Sequence, residues 1–248
     1  MTTLLWMTVP YLALISFVVG HIWRYRHDQF GWTTRSSQLH ESRLLQLGSP
    51  LFHFGLLAVL GGHVLGILIP ASWTAAVEVS EHAYHLMSVS FGTLSGLATV
   101  AGLAILLYRR ITVVAVRKAT TTLDKIMYLL LSAAIVTGML NTVGNNLIGG
   151  GYDYRATVSP WFRSLFTLSP QPELMVGIPL SFQIHNLVVL ALLALWPATR
   201  LVHVFSAPLG YLVRPYVVYR SRDQHPSARR YARAWNQPAP TPTSPRRR

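Results

Sequence analysis

The feature that most constrains this chain is its apolar patterning. Five stretches, Leu4–Trp23, Leu47–Ile69, Ala83–Leu107, Leu123–Ile148 and Ile178–Phe205, approach or exceed the roughly 20 apolar residues that a helix needs to cross a bilayer. In hydrocarbon, every backbone N–H and C=O must find its partner inside the chain, so such stretches fold as helices. The expected fold class is an all-α integral membrane protein with five transmembrane helices. Charged residues make up only 12% of the chain and fall between the stretches or near their ends. The opening residues, MTTLLWMTVPYLALISFVVG, lack a charged n-region and a small-x-small cleavage site. They are read as a first span and not as a cleaved signal.

The connections sort by charge. Arg24, Arg26, Arg35 and Arg43 follow the first span. Arg109, Arg110, Arg117 and Lys118 follow the third, with Lys125 at the start of the fourth. Arg214, Arg220, Arg222 and the arginines of the tail follow the fifth. The connection between the second and third spans has no Lys or Arg but carries Glu78 and Glu81. The connection between the fourth and fifth has Arg155 and Arg163 beside Asp153 and Glu173. The positive-inside rule then puts the N-terminus outside and the C-terminus in the cytoplasm. The net charge of +13 is explained by this topology, so no nucleic-acid partner is expected. Residues 1–220 are expected to form one transmembrane domain. Residues 221–248, rich in Pro, Arg and Ser, should form a disordered basic cytoplasmic tail with weak attraction to anionic membrane lipid.

The chain has no cysteine. That excludes cysteine-ligated iron–sulfur clusters, thiolate zinc sites and thioether-attached haem. Histidine is the ligand that remains. The fifth span, LSFQIHNLVVLALLALWPATRLVHVFS from Leu180 to Ser206, carries His185 and His203. Their 18-residue spacing is about five helical turns and about 27 Å of rise, which keeps both on one face apart from a kink at Pro197. The second span carries His53 and His63, about 15 Å apart along a helix. Ordered by depth, His53 meets His203 on the inner side and His63 meets His185 on the outer side. Each pair can supply both axial nitrogens of a haem b, leaving no open position and favouring electron transfer. Gly61, Gly62 and Gly66 surround His63, and Gly55 follows His53, leaving room for a flat macrocycle. The same residues allow plainer uses. Intramembrane histidines also line proton paths or bond neighbouring helices, and Gly62 with Gly66 forms a G-x-x-x-G packing face.

The segments SPLFHFGLLAVLGGHVLG, VRKATTTLDKI and TRLVHVFSAPLGYLVR resemble the membrane cytochrome b, or gamma, subunit of bacterial respiratory nitrate reductase. The resemblance covers about residues 8 to 220. It implies a multi-pass subunit of the bacterial cytoplasmic membrane with two non-covalent, bis-histidine haems b. His63 and His185 would hold the outer haem, and His53 and His203 the inner one. It further implies that menaquinol or ubiquinol is oxidised near the outer haem and its protons are released outside. Electrons would pass inward to an iron–sulfur (beta) and a molybdenum catalytic (alpha) subunit on the cytoplasmic side. The chain would belong to a quinol:nitrate oxidoreductase without holding the nitrate-reducing site.

One position departs from the family pattern. The lysine that family members carry near the outer start of the third span, implicated in quinol binding, is missing from VEVSEHAYHLMS. Tyr84, His85 and His82 are the candidate replacements. Tyr84 aligns with the lysine, while an imidazole titrates near neutrality and makes His85 the better proton acceptor. All three also suit an interfacial belt. Arg109, Arg110 and Arg200 can pair with propionates of the inner haem or serve as positive-inside anchors. His21 is expected at the inner interface, and His27, His40 and His225 in solvent. Asn141, Asn145 and Asn146 can cap the fourth span or touch a quinone. Trp161 and Phe162 suggest a short interfacial helix. The rival functions are a related cytochrome b serving another cytoplasmic reductase, such as one of sulfite metabolism, a histidine-lined transporter or proton channel, and a haem-free membrane anchor.

Overall fold

The computed structural model describes residues 2–33, 36–206 and Val213. All the regular secondary structure among them is helical. The chain divides into two units, Met1–Ala207 and Pro208–Arg248. The expected tail, together with Arg35, Arg214, Arg220, Arg222 and His225, lies outside the described residues.

Among the described residues, five helices are long and apolar enough to cross a membrane: Leu4–His27, Arg43–Leu68, Glu81–Thr112, Thr122–Ile148 and Leu180–Ala198. Their α-helical parts are α1 (Val9–His27), α2 (Arg43–His63), α4 (Glu81–Thr112), α6 (Thr122–Met139) and α8 (Leu180–Leu195). Three shorter helices, α3 (Ala71–Ala76), α5 (Val114–Lys118) and α7 (Val158–Phe166), lie in the connections. Two starts are fixed by side-chain caps. Ser80 Oγ accepts the Ala83 N–H at the head of α4. Thr121 and Asp124 form a reciprocal capping box at the head of α6. Leu12, Ile15, Val19 and Ile22 of α1 are all more than half exposed, as side chains facing lipid are.

The helices sit close where glycine permits it. α2 and α4 share the most extensive contact in the bundle. A Cβ at Gly55 would lie 2.7 Å from Thr99 Oγ1. Phe52, Leu103, Met127, Leu131 and Leu192 fill the middle of the bundle.

The fifth span differs from the single kinked helix expected over Ile178–Phe205. The α-helix stops at Leu195, a 3₁₀ turn follows at Trp196–Ala198, Thr199 is extended, and a second 3₁₀ segment runs Arg200–Ser206. Pro197 has no N–H to continue the ladder. Carbonyls exposed by the break find a partner in α1: buried Arg24 donates from Nη1 to Pro197 O at 2.6 Å and to Thr199 O at 2.8 Å. His203 therefore does not share a helix face with His185, and the straight-helix rise does not apply to it.

The two ends of the bundle differ in chemistry. At one end, Trp6, Val158, Trp161, Leu165, Met175, Ile178 and Phe182 form a second core. The expected interfacial helix is α7, and it is part of this core. Trp161 is 1% exposed and donates its Nε1–H to Trp6 O at 2.8 Å. At the other end, basic side chains make defined ion pairs. Arg109, 2% exposed, bonds Glu41 and Ser37 of the connection after α1. Arg200 grips Asp124. Arg110 donates to Thr120 Oγ1 at 2.8 Å and lies over the Tyr128 ring. We refer to these as the aromatic end and the basic end.

Candidate functional site

The four intramembrane histidines meet in two pairs. The rings of His63 and His185 have centroids 6.2 Å apart, and so do those of His53 and His203. His63 and His185 lie toward the aromatic end, and His53 and His203 toward the basic end.

Hydrogen bonds fix the tautomer of each ring. His53 Nδ1 contacts Ser49 O at 2.7 Å, His63 Nδ1 contacts Val59 O at 2.8 Å, and His203 Nδ1 contacts Arg200 O at 2.5 Å. A carbonyl only accepts, so each Nδ1 carries the proton. His185 reaches the same state by another route. Thr137 donates its hydroxyl to Ala133 O at 2.7 Å and so accepts from His185 Nδ1 at 3.0 Å. Among the described residues no hydrogen bond reaches any of the four Nε2 atoms, which is the arrangement that metal-bound histidines show.

The spacing tests the fit to a haem. Two metal–nitrogen bonds of about 2 Å, plus about 1 Å from each nitrogen to its ring centre, give about 6 Å between centroids. Both pairs match. Among the described residues, no three His, Cys, Asp or Glu side chains gather into a metal-binding group. Each pair offers only two ligands, which suits an iron whose other four are supplied by a macrocycle.

The glycines separate into two kinds. Gly61 and Gly62 face open space, so room beside His63 remains there. Gly55 and Gly66 do not supply it. Gly55 is taken up by α4, and a Cβ at Gly66 would stand 2.6 Å from the Tyr154 hydroxyl. Gly62 packs on no helix, so it forms no packing pair with Gly66. Gly138, not singled out from the sequence, faces a histidine ring: a Cβ there would lie 3.2 Å from His185 Cε1.

Of the replacements considered for the family lysine, Tyr84 has the richest setting. Its hydroxyl meets that of Tyr154 at 3.2 Å, and the Arg155 guanidinium lies 3.9 Å over its ring. His85 faces the loop at Gly151, and His82 is exposed. Tyr154 and Arg155 were missed in the sequence, although a Tyr-Arg pair in the non-basic connection was a usable signal. Arg109, Arg110 and Arg200 are all engaged by protein partners. His21 is ringed by Phe17, Phe205 and Trp32. Asn145 joins Asn141 to Ser181, and Asn146 accepts the Tyr152 N–H, so these residues shape the π-helical exit Leu140–Ile148.

The model of the nitrate reductase gamma subunit family matches residues 2–222. This chain belongs to the nitrate reductase gamma subunit family. It is 48% identical over 219 residues to the nitrate reductase gamma chain of Bacillus subtilis, covering 88% of this chain and 98% of that one. It is 34% identical over 214 residues to the respiratory nitrate reductase 2 gamma chain of Escherichia coli, covering 86% and 94%. It is also 54% identical over 236 residues to the nitrate reductase-like protein NarX of Mycobacterium tuberculosis. That match takes in 95% of this chain but only 36% of the relative's length. Family and spans together describe a nitrate reductase gamma subunit that is a membrane protein.

Proposed function

We propose that this gamma subunit is the quinol-oxidising, di-haem b subunit of a respiratory quinol:nitrate oxidoreductase in the cytoplasmic membrane. His63 and His185 would hold the outer haem, and His53 and His203 the inner one. The observation that carries the reading is the pair of 6.2 Å ring separations at two depths, each with its Nε2 atoms free. Bound there, the haems would supply one-electron transfer.

The rest follows from the two ends. The excess of Lys and Arg assigns the basic end to the cytoplasm, so the N-terminus lies outside. Menaquinol or ubiquinol is oxidised at the aromatic end, and its protons leave on that side. The iron–sulfur and molybdenum subunits dock at the basic end, and nitrate is reduced there, away from this chain. At the outer site, Tyr84 and His85 are the nearest candidates for hydrogen bonds to quinol, with His82 farther out.

The test is a dithionite-reduced minus oxidised spectrum of membranes holding the chain, with haem b quantified per polypeptide. The reading requires two haems b, both reducible by menadiol, and loss of one in His63→Ala. A correctly inserted chain that takes up no haem under ample supply would end it.

A further inference from the structure

We infer that Tyr154 and Arg155, in the connection between α6 and α8, complete the quinol-binding site with Tyr84, Tyr154 as a hydrogen-bonding residue and Arg155 as a positioning residue. This rests on the quinol-oxidising reading above and goes beyond it by naming a part of the chain that the sequence did not single out.

Placement comes first. Gly66 lies three residues beyond His63, and Phe182 three residues before His185, so each stands about one helical turn outward from its histidine. Tyr154 touches both positions. Its hydroxyl is the nearest atom to a Cβ built at Gly66, and its ring stacks on Phe182 with centroids 6.4 Å apart and planes 23° apart. The Tyr84 hydroxyl reaches the same spot from the head of α4, 3.2 Å from the same Cβ position. The hydroxyl pair thus lies about one helical turn outward of the outer histidines, brought there by α4 and the connection between α6 and α8.

Hydrogen-bond counting gives the chemistry. Two phenols carry two hydroxyl hydrogens, and their mutual bond uses one. Among the described residues no other hydrogen bond reaches either hydroxyl, so one O–H donor and several lone pairs remain. A quinone carbonyl needs the donor, and a quinol hydroxyl needs an acceptor. The pair serves both oxidation states by rotating its hydrogens, without side-chain movement.

Arg155 holds this arrangement. Its side chain is 4% exposed, donates to Thr74 Oγ1 at 2.9 Å and contacts Glu81 at 3.5 Å. Its Nε meets no acceptor. The rest of this buried guanidinium lies against the face of Tyr84, which fixes that ring.

The assembled, haem-loaded complex in native membranes is photolabelled with an azido-menaquinone, and menadiol oxidation is measured in parallel. The expected result is label on the segment holding Tyr154, competed by menadiol. Tyr154→Phe should raise KM for menadiol ~3–10-fold with kcat and haem content unchanged, and Tyr84→Phe with Tyr154→Phe should raise it further. Arg155→Lys should lie between wild type and Arg155→Gln. Wild-type KM and labelling in Tyr154→Phe, at full haem content, would overturn this inference while leaving the quinol-oxidising reading intact. A haem-loaded wild type that neither takes label nor oxidises menadiol would overturn both.

Discussion

Arg200 holds Asp124 through two parallel bonds, Nε to Oδ1 and Nη2 to Oδ2, each 2.8 Å. The same Arg200 offers its backbone carbonyl to His203 Nδ1. One residue thus connects the cap of α6 to the ring orientation of His203. Asp124→Asn removes the charge of the buried member of this ion pair, a loss of about 3–5 kcal/mol. We expect the haem assigned to His53 and His203 to be lost or spectrally broadened while the other is retained. Low-temperature difference spectra that separate the two would check it. Equal loss of both would refute the link.

Thr137 does for His185 what backbone carbonyls do for the other three rings. Thr137→Val keeps the shape and removes the acceptor. Loss of such a partner weakens metal binding about 10–100-fold, so the haem proposed for His63 and His185 should dissociate first when membranes are titrated with an apo-haemoprotein trap. Thr137→Ser should restore retention. A Val variant that holds haem as tightly as wild type would show the hydroxyl to be dispensable.

Glu41 gives the basic end a pH dependence. Burial pushes its carboxyl up, but the Leu44 N–H at 2.8 Å and the Arg109 guanidinium outweigh that and hold it below the usual carboxylate range. The folded value is the lower one, so its stabilisation is present above about pH 4.3, the unfolded value, and is lost as pH falls through the folded value. Trp32 fluorescence or proteolysis of the connection after α1 should report loosening in acid. Glu41→Gln should be looser at neutral pH and lack the acid step. A variant with the same acid profile as wild type would remove Glu41 from the account.

Trp161 anchors the aromatic end by packing and by its bond to Trp6 O. Trp161→Ala should cost about 3–5 kcal/mol, and Trp161→Phe less. Thermal unfolding in detergent would measure both. A change confined to within about 0.5 kcal/mol for Ala, as surface positions give, would mean that this end does not contribute to stability as a packed unit.

Much of this architecture was legible because a bilayer imposes a simple rule. Apolar length alone located five spans, and depth alone suggested which histidines face each other. What stayed hidden depends on partners, which periodicity does not report. Gly55 and Gly61 look alike in sequence, yet one is pressed against Thr99 and the other faces open space. Pro197 signalled a kink, but whether the chain bends or breaks was decided by Arg24, more than 170 residues earlier in the chain. Trp161 has the composition of an interfacial residue and the burial of a core one. Arg109 and Arg200 read as topology markers, although each has a specific carboxylate.

The break after Leu195 makes the molecule mechanically asymmetric. His63 and His185 are carried by long, laterally packed helices, so their spacing is set by the whole bundle. His203 rides on a short strut seated by the Arg200–Asp124 ion pair and by Arg24 reaching across from α1. A push on the basic end can retune that strut without disturbing its counterpart toward the aromatic end, so the two histidine pairs can be adjusted one at a time.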